Sequence, residues 1–280
     1  MNGFEQQSLQ LTGLAGKVAV VTGAGRMRSI GRPIAIEMAK AGCKVVITGS
    51  GRPPAQFPED EKAVGWRDIE SVADEIRTVG GEVLTAVSDV ADESAVRALL
   101  ARTLAAFGRV DYVINNAGAA RGRDRVPVVD MPIDAWDTVL RVNLRGTFLM
   151  SKYFGQQLIA AKQGGAIVNI SSIAGKILPP NASAYAASKS AIQALTASMA
   201  QEVGQFGIRV NAICPGLVDT FRLDDMRGTP AWDESTARVA LRRMGSGTEI
   251  AWCVIYLCSE QGAWMNGQSI NLDGGMAMQH

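Results

Sequence analysis

The sequence feature that most restricts the fold is a regular alternation of short, β-branched apolar runs with longer segments of helical composition. Strands that are apolar throughout, with helices between them, are typical of parallel sheets that helices cover on both faces. Right-handed crossovers arrange such units as a doubly wound sheet. We therefore predict an α/β fold whose parallel sheet has about seven strands, at 18–22, 43–48, 83–88, 110–115, 166–171, 209–213 and 269–272.

Helical segments lie between these strands, and we expect them at 34–41, 96–107, 136–161, 184–205 and 249–259. A chain of 280 residues suits one large domain, so we predict a single Rossmann-type domain over 1–280. Two stretches interrupt the pattern. The Pro- and charge-rich segment 51–65 is interpreted as an exposed inserted loop, and the irregular segment 216–247 as a lid over the substrate.

Charge and residue usage argue against several classes of function. The chain has 28 basic and 27 acidic residues, a balance that predicts no bulk attraction to nucleic acid or to a membrane. Its only histidine is the last residue, His280. This argues against a Ser-His-Asp hydrolase and against a histidine-ligated metal site, and we predict no metal.

The cysteines and the apolar runs bear on the compartment. The four cysteines, at positions 43, 214, 253 and 258, form no CxxC pair and are interpreted as reduced thiols. The first residues lack the basic and long apolar regions of a secretion signal, and the longest apolar stretch, 251–258, is too short to cross a bilayer. We expect a cytoplasmic protein.

A glycine-rich segment follows the first predicted strand, with Gly23, Gly25 and Gly31 placed before a helical stretch. Glycines let the backbone approach a pyrophosphate, and the helix N-terminus offers free N–H groups and a partial positive charge. The spacing is about two residues longer than the compact form, and Ser29 stands where another glycine is expected. We predict a dinucleotide site that includes Ser29 and Ile30; the alternative is a tight turn without a ligand.

The end of the second predicted strand bears on the choice between NAD and NADP. A carboxylate there usually binds the ribose 2′-hydroxyl of NAD, but the strand ends in ITGSGR and no carboxylate follows until Glu59. Arg26, Arg28 and Arg52 offer guanidinium groups, which hold a 2′-phosphate well. We therefore predict NADP(H), with Ser50 also at the site; the alternative is that these arginines are solvated loop charges.

Tyr185 and Lys189 lie four residues apart in a segment of helical composition, NASAYAASKSAIQAL. Residues at this spacing share one helix face, so the ammonium group can approach the phenol. The spacing alone is weak support, because a surface pair would look the same. It gains weight from the motifs that accompany it.

Taken together, the motifs resemble those of the single-domain branch of the short-chain dehydrogenase/reductase family, in family order and over nearly the whole chain. The matching pieces are TGAGRMRSIG at 22–31, Asp89 and Val90, NNAG at 115–118, Asn143 in RVNLRGTF, Ser172 in IVNISSIAG, YAASK at 185–189, PGLVDT at 215–220 and GQSINLDGG at 267–275. The lengthened phosphate loop and the insertion 51–65 depart from the family pattern.

The resemblance implies hydride exchange between a nicotinamide cofactor and a carbonyl or alcohol. Tyr185 would be the general acid/base, with Lys189 lowering the pKa of its phenol and binding the nicotinamide ribose. Ser172 would donate a hydrogen bond to the substrate oxygen. Asn143 would hold a water that connects Lys189 to solvent.

The resemblance also implies the remaining cofactor contacts. Asp89 and Val90 would border the adenine. The backbone of the NNAG motif would approach the adenosine ribose, and the PGLVDT motif would cradle the nicotinamide. The residues expected in these two motifs are Asn116, Ala117, Gly118, Pro215, Gly216, Val218 and Thr220.

Several functions remain open within this resemblance. The main expectation is a small-molecule ketone or aldehyde reductase, or the reverse alcohol dehydrogenase, with an apolar pocket and a homotetrameric assembly. A 3-oxoacyl-carrier-protein reductase is the specific alternative, which would use Arg121, Arg123 and Arg125 to dock an acidic carrier. A more distant alternative is an NADP-binding regulator without turnover.

Overall fold

The structure, a computed structural model that describes residues 11–278, contains one parallel sheet of seven strands. In chain order the strands are β1 (Val18–Val21), β2 (Lys44–Gly49), β3 (Val83–Val87), β4 (Tyr112–Asn115), β5 (Gly165–Ile170), β6 (Ile208–Pro215) and β7 (Ser269–Leu272). Their order across the sheet is β3-β2-β1-β4-β5-β6-β7, with every neighbouring pair parallel. The predicted Rossmann-type α/β fold is confirmed.

Ten α-helices are found in the described part of the chain. They are α1 (Gly31–Lys40), α2 (Glu59–Ala63), α3 (Ile69–Thr78), α4 (Glu93–Phe107), α5 (Ile133–Leu140), α6 (Gly146–Ala161), α7 (Ala174–Ile177), α8 (Ser183–Val203), α9 (Pro230–Ala237) and α10 (Gly247–Cys258). The sequence predicted α1, α4, α8 and α10 to within a few residues, but it did not predict α3.

Two apolar layers enclose the sheet, because successive strand residues point to opposite faces. Ala19 and Val21 of β1 pack with residues of α1, α3 and α10 on one face. Val18 and Val20 pack with residues of α4, α6 and α8 on the other. The four residues of β1 are fully buried, which explains why the strand is apolar at every position.

The predicted helix at 136–161 is two helices joined by a π-helical turn, Arg141–Arg145. A π-turn inserts one residue into the regular hydrogen-bond ladder and is frequent at functional sites. Here it lies between α5 and α6 and contains Asn143, whose side chain is fully buried. The interruption thus fixes the position of one predicted site residue.

The strand order places the carboxyl ends of β1 and β4 side by side, where the chain crosses from one half of the sheet to the other. Ligands of doubly wound sheets bind in the crevice at this switch point. The glycine-rich loop follows β1 and the NNAG motif ends β4, so both predicted cofactor motifs reach this crevice.

Three further predictions concern membrane-spanning helices, the cysteines and the histidine. Between residues 11 and 278, none of the helices combines the length and apolar character needed to cross a membrane. The four cysteines are free thiols, and burial raises the pKa of Cys43 to about 12. His280 lies outside the described residues.

Candidate active site

Tyr185 and Lys189 lie on α8, a 21-residue helix, and the predicted approach of ammonium and phenol is present. The Lys189 Nζ lies 5.7 Å from the centroid of the Tyr185 ring. It donates a 2.7 Å hydrogen bond to the carbonyl oxygen of Ile170, the last residue of β5. Lys189 is only 5% exposed and Tyr185 is half-buried. The strand end therefore fixes the cation against the phenol.

Ser172 is the second residue after β5, is buried, and lies within hydrogen-bond reach of the Tyr185 phenol. Its Oγ accepts a 3.1 Å hydrogen bond from the backbone N–H of Ala174. Gln193 donates to the Ser172 carbonyl at 3.2 Å and to the Ser171 hydroxyl at 3.1 Å. The sequence analysis missed Gln193, although its position four residues after Lys189 places it on the same helix face.

The side chain of Asn143 joins the loop after β4 to α8. Its Oδ1 accepts a 2.8 Å hydrogen bond from the Ala119 N–H, and its Nδ2 donates a 3.0 Å hydrogen bond to the Ser188 hydroxyl. Ser188 in turn donates to the carbonyl of Tyr185 at 2.7 Å. The amide group thus positions the segment that carries Tyr185; its role in holding a water stays a prediction.

The charges around Tyr185 favour the phenolate. Burial by itself raises the pKa of Tyr185, but the Lys189 and Arg222 cations, a hydrogen bond from Ser172 and the Arg125 cation lower the pKa below its ordinary value. Burial lowers the pKa of Lys189, and the nearby phenol opposes that shift. The pair can therefore move a proton closer to neutral pH than an isolated tyrosine could.

The glycine-rich loop has the close contacts that its glycines imply. Gly23 has φ +69°, and a Cβ on it would lie 2.7 Å from the backbone of Ala117. A Cβ on Gly31, the first residue of α1, would lie 2.5 Å from the side-chain nitrogen of Asn116. Asn116 itself donates to the carbonyls of Thr22 and Gly23 at 2.8 and 3.0 Å. Loop and NNAG motif form one packed unit.

The N-terminus of α1 fits a pyrophosphate. The helix has no side-chain cap at Ile30 and no acidic residue in its first turn, so no carboxylate of the helix opposes an anion there. Ser29 accepts from the Arg32 N–H at 3.2 Å and donates to the Arg26 carbonyl at 2.9 Å, which shapes the longer loop. The residues present therefore suit a dinucleotide.

The insertion 51–65 is exposed over most of its length, as predicted, but it is not an irregular loop. It contains α2 and folds onto the phosphate loop, where Phe57 is 6% and Glu61 only 1% exposed. The Glu61 carboxylate accepts from the Met27 N–H at 2.9 Å, and the Trp66 indole donates to the Gly25 carbonyl at 2.7 Å. Buried carboxylate and aromatic contacts hold the segment in place.

Two of the three arginines predicted to bind a 2′-phosphate are engaged with carboxylates. Arg28 pairs with Asp60 at 2.8 Å and with Asp224 at 2.6 Å. Arg52 pairs with Glu61 at 3.1 Å and with Asp68 at 2.9 Å. The remaining residue, Arg26, has no ion pair among residues 11–278, and its guanidinium stacks on the Phe221 ring at 3.8 Å.

Asp68 is the carboxylate that the sequence analysis missed at the end of β2. It is 9% exposed, has φ +55°, and lies directly before α3. A Cβ on Gly25 would lie 1.9 Å from its Oδ1, and one on Gly49 would lie 3.0 Å from its Oδ2. The insertion thus returns a carboxylate to the strand end that has none of its own, and no local sequence signal shows this.

The remaining predicted adenosine contacts lie around β3 and β4. Asp89 accepts from the Arg141 guanidinium at 2.8 Å and from the Ala91 N–H at 2.9 Å. Val90 is buried against Gly146. Gly118 lies beside Asn143, since a Cβ on it would meet that side-chain oxygen at 3.3 Å. Ser50, directly after β2, is exposed.

The segment after β6 joins the predicted lid to the phosphate loop. Pro215 ends β6, and Gly216 donates to the Leu272 carbonyl at 3.1 Å. Val218 and Thr220 are buried. The N–H of Phe221 then donates to the Arg28 carbonyl at 3.1 Å. This segment lies next to the loop in the way that nicotinamide contacts would require.

Two arginines face the Tyr185 ring and add positive charge to a site for which an apolar lining is predicted. The guanidinium carbon lies 4.7 Å from the ring centroid in Arg125 and 5.0 Å in Arg222. Arg222 also donates to the Ala119 carbonyl at 2.5 Å. The two apolar residues Ile173 and Leu178, which follow Ser172 in the chain, differ in exposure: Ile173 is buried and Leu178 is 61% exposed.

Comparison with known proteins shows the family to which the chain belongs. The sequence model of a family described as "Enoyl-(Acyl carrier protein) reductase" matches residues 23–277. The short-chain dehydrogenase/reductase eriH of Hericium erinaceus is 34% identical to this chain, and the aligned region covers 92% of this chain and 96% of eriH. The 3-oxoacyl-[acyl-carrier-protein] reductase FabG of Staphylococcus aureus is 33% identical, and the aligned region covers 94% of this chain and 98% of FabG.

Solved structures give the same result. A short-chain type dehydrogenase/reductase from Mycobacterium marinum superposes with a TM-score of 0.83 at 29% identity, covering 95% of this chain and 97% of its own. A mutant short-chain dehydrogenase/reductase of Serratia marcescens has a TM-score of 0.81 at 32% identity, with 95% and 100% covered. The chain belongs to the short-chain dehydrogenase/reductase family and is an oxidoreductase of that family.

Proposed function

We propose that the protein interconverts a ketone or aldehyde and an alcohol by hydride exchange with a nicotinamide cofactor, with Tyr185 as the general acid/base. The observation that carries this proposal is the half-buried phenol of Tyr185 held against the buried Lys189 ammonium, next to Ser172. A lowered pKa is what a tyrosine needs to take and return a proton near neutral pH.

The residues divide the work of the reduction. The bound cofactor supplies the hydride. Ser172 donates a hydrogen bond to the substrate oxygen, and Tyr185 donates the proton that this oxygen takes up as negative charge develops. Lys189 stabilises the phenolate that remains, and Asn143 keeps the backbone that carries Tyr185 in register. In the oxidative direction the phenolate takes the proton from the alcohol.

The experiment is an NADPH and NADH oxidation assay of the wild-type protein on a panel of ketones, aldehydes, 3-oxo esters, steroids and sugars. Turnover of at least one carbonyl compound with a defined alcohol product is expected. Cofactor binding without oxidation of the cofactor on the whole panel would contradict the proposal. That outcome would instead support a regulator without turnover, which the complete Ser172, Tyr185 and Lys189 set argues against.

Reduction of a carrier-bound 3-oxoacyl thioester is the second candidate function, favoured by relatives of that name. The arginines predicted to dock the carrier are partly used within the chain. Arg121 pairs with Asp225 at 3.0 Å, and Arg125 stacks on Tyr185. Arg123 is exposed and pairs with Asp134. A carrier-bound substrate turned over far better than the same acyl group on a small thiol would favour this candidate.

For the nucleotide we propose NADP(H), with Arg26 as the contact to the 2′-phosphate. Arg26 extends from the phosphate loop and is the one of the three predicted arginines without an ion pair within residues 11–278. NAD(H) is the alternative, favoured by Asp68, because its carboxylate lies at the end of β2, where it could accept hydrogen bonds from ribose hydroxyls and repel a phosphate.

Replacing Arg26 with Leu separates these two cofactors. Loss of a charged hydrogen bond of about 1.5–3 kcal/mol should lower kcat/KM for NADPH by about 10- to 100-fold and leave that for NADH within about 3-fold. Arg77→Leu is the matched control, since Arg77 is an exposed arginine on α3 paired with Asp74. A wild-type preference for NADH that Asp68→Asn removes would establish the alternative.

Two further expectations, the oligomeric state and the cellular location, stay predictions. A homotetramer is expected to bury apolar faces of the helices at 136–161 and 184–205 between subunits, and Phe148 on α6 is an apolar residue of this kind, 45% exposed. Trp264, before β7, is 96% exposed. Cytoplasmic residence likewise stays a prediction.

A further inference from the structure

Three cationic side chains surround one phenol in the candidate active site. Lys189 lies 5.7 Å, Arg222 5.0 Å and Arg125 4.7 Å from the Tyr185 ring centroid. Lys189 belongs to the proton chemistry proposed above. The two guanidinium groups also lower the pKa of Tyr185, but neither of them exchanges the proton, and their mutual repulsion makes their convergence costly unless an anion joins them.

Arg222 reaches the site from the lid. It follows the PGLVDT motif, and its guanidinium donates to the carbonyl of Ala119 in the loop after β4. No ion pair to Arg222 occurs between residues 11 and 278. The neighbouring acidic residues are used elsewhere, because Asp225 pairs with Arg121 and Asp224 with Arg28. Its charge is therefore left without a partner.

Arg125 is only partly compensated. Its side chain is 22% exposed, and its Nε has the Asp124 carboxylate at 3.4 Å, beyond a good hydrogen bond. That nitrogen is buried and makes no hydrogen bond. The Asp124 carboxylate instead accepts from the Gly122 N–H at 3.0 Å. A buried guanidinium nitrogen without an acceptor is a site for an oxygen ligand.

We infer that Arg125 and Arg222 bind a carboxylate of the substrate, and that the substrate is an oxo acid, or the matching hydroxy acid, whose carboxylate lies one or two carbons from the reacting carbonyl. A short acid is chosen because both guanidinium carbons lie within 5.0 Å of the Tyr185 ring centroid, while Tyr185 and Ser172 would hold the carbonyl oxygen. The inference rests on the proposed function and names its substrate class.

This substrate class differs from that of a carrier-bound 3-oxoacyl thioester. A thioester is uncharged beside its carbonyl, and the negative charges of a carrier lie far from the reacting carbon. Two guanidinium groups next to the phenol would then face no anion. An oxo acid instead gives each of them a charge-assisted hydrogen bond, and Arg222 would bring the lid onto the bound substrate.

The test compares acids with their esters, acetoacetate with ethyl acetoacetate and pyruvate with ethyl pyruvate. The measured quantity is the ratio of kcat/KM for the acid to that for the ester. In the wild type at least one pair should favour the acid by about 10-fold or more, since a charged hydrogen bond is at stake. Arg125→Gln and Arg222→Gln should each lower this ratio by about 10-fold, mainly through KM for the acid.

Arg123→Gln is the matched control, because Arg123 lies two residues before Arg125, is exposed, and pairs with Asp134; its ratio should equal that of the wild type. If Arg222 served the cofactor instead, its variant would raise KM for the cofactor and leave the ratio unchanged, which would overturn the inference. An ester turned over as well as its acid would also overturn it.

A calorimetric titration of the cofactor-bound protein with butyrate and with methyl butyrate separates this inference from the proposed function. Butyrate should bind the wild type and lose affinity about 10-fold in each arginine variant. Carboxylate binding of this kind without turnover of any carbonyl would leave the carboxylate site at Arg125 and Arg222 standing and would remove the proposed function together with the substrate class. Turnover of neutral ketones alone would support the proposed function and overturn the inference of a carboxylate-bearing substrate.

Discussion

Replacing Tyr185 with Phe is expected to lower kcat by about 10²- to 10⁴-fold in both directions, because the substitution removes the one group placed to exchange a proton with the substrate oxygen. The ring, and with it the packing against Lys189, Arg125 and Arg222, is retained. KM for the cofactor should stay within about 3-fold, since the phenolic oxygen acts mainly in the transition state. Steady-state kinetics with the best compound of the panel would measure this.

Tyr256→Phe is the control for this experiment. Tyr256 lies on α10, is 38% exposed and contributes no contact to the site described above. Removing the Tyr256 hydroxyl should leave kcat within about 2-fold of the wild-type value, because most surface substitutions have small effects. A Tyr185→Phe protein with native circular dichroism and a turnover near that of the wild type would contradict the proposed proton transfer.

Lys189→Met should be the second most damaging change, with a loss of about 10²-fold or more in kcat at neutral pH. Methionine fills much of the same volume, so the buried position is kept, but the cation that lowers the pKa of Tyr185 is gone. The pKa of Tyr185 then rises. Alcohol oxidation needs the phenolate, so its increase with pH should move to higher pH in this variant.

The matched control is Lys152→Met on α6, an exposed lysine outside the site. It should reproduce both the rate and the pH profile of the wild type. If Lys189→Met lost activity but kept the wild-type pH profile of oxidation, Lys189 would act only in binding, and its effect on the phenol would be disproved.

The sheet was readable from sequence because its strands are buried on both faces. Continuous apolar runs such as Val18–Val21 leave few alternatives, and each is separated from the next by a helix-length segment. The helix Ile69–Thr78 was missed although Ile69, Val72, Ala73 and Ile76 recur at helical spacing, since the adjoining insertion masked the pattern. The π-turn at Asn143 depends on tertiary contacts and has no local signature.

The core of the site was equally readable, because its motifs are local. Tyr185 and Lys189 share a helix face through their spacing alone. The charges that surround them are not local. Arg222 contacts the loop residue Ala119 across about a hundred positions, and Asp68, which follows the insertion 51–65, reaches the phosphate loop. Such contacts depend on how long loops fold back, which residue spacing does not specify.

The proposed proton transfer depends most on the lowered pKa of Tyr185, and this pKa can be measured without any substrate. Absorbance of phenolate is titrated against pH in the wild type and in Tyr185→Phe, and the difference isolates Tyr185 from the other tyrosines, of which Tyr112 has its pKa raised by burial. We expect the difference to show ionisation below pH 10, the ordinary value. Ionisation of Tyr185 at or above pH 10 would contradict the account.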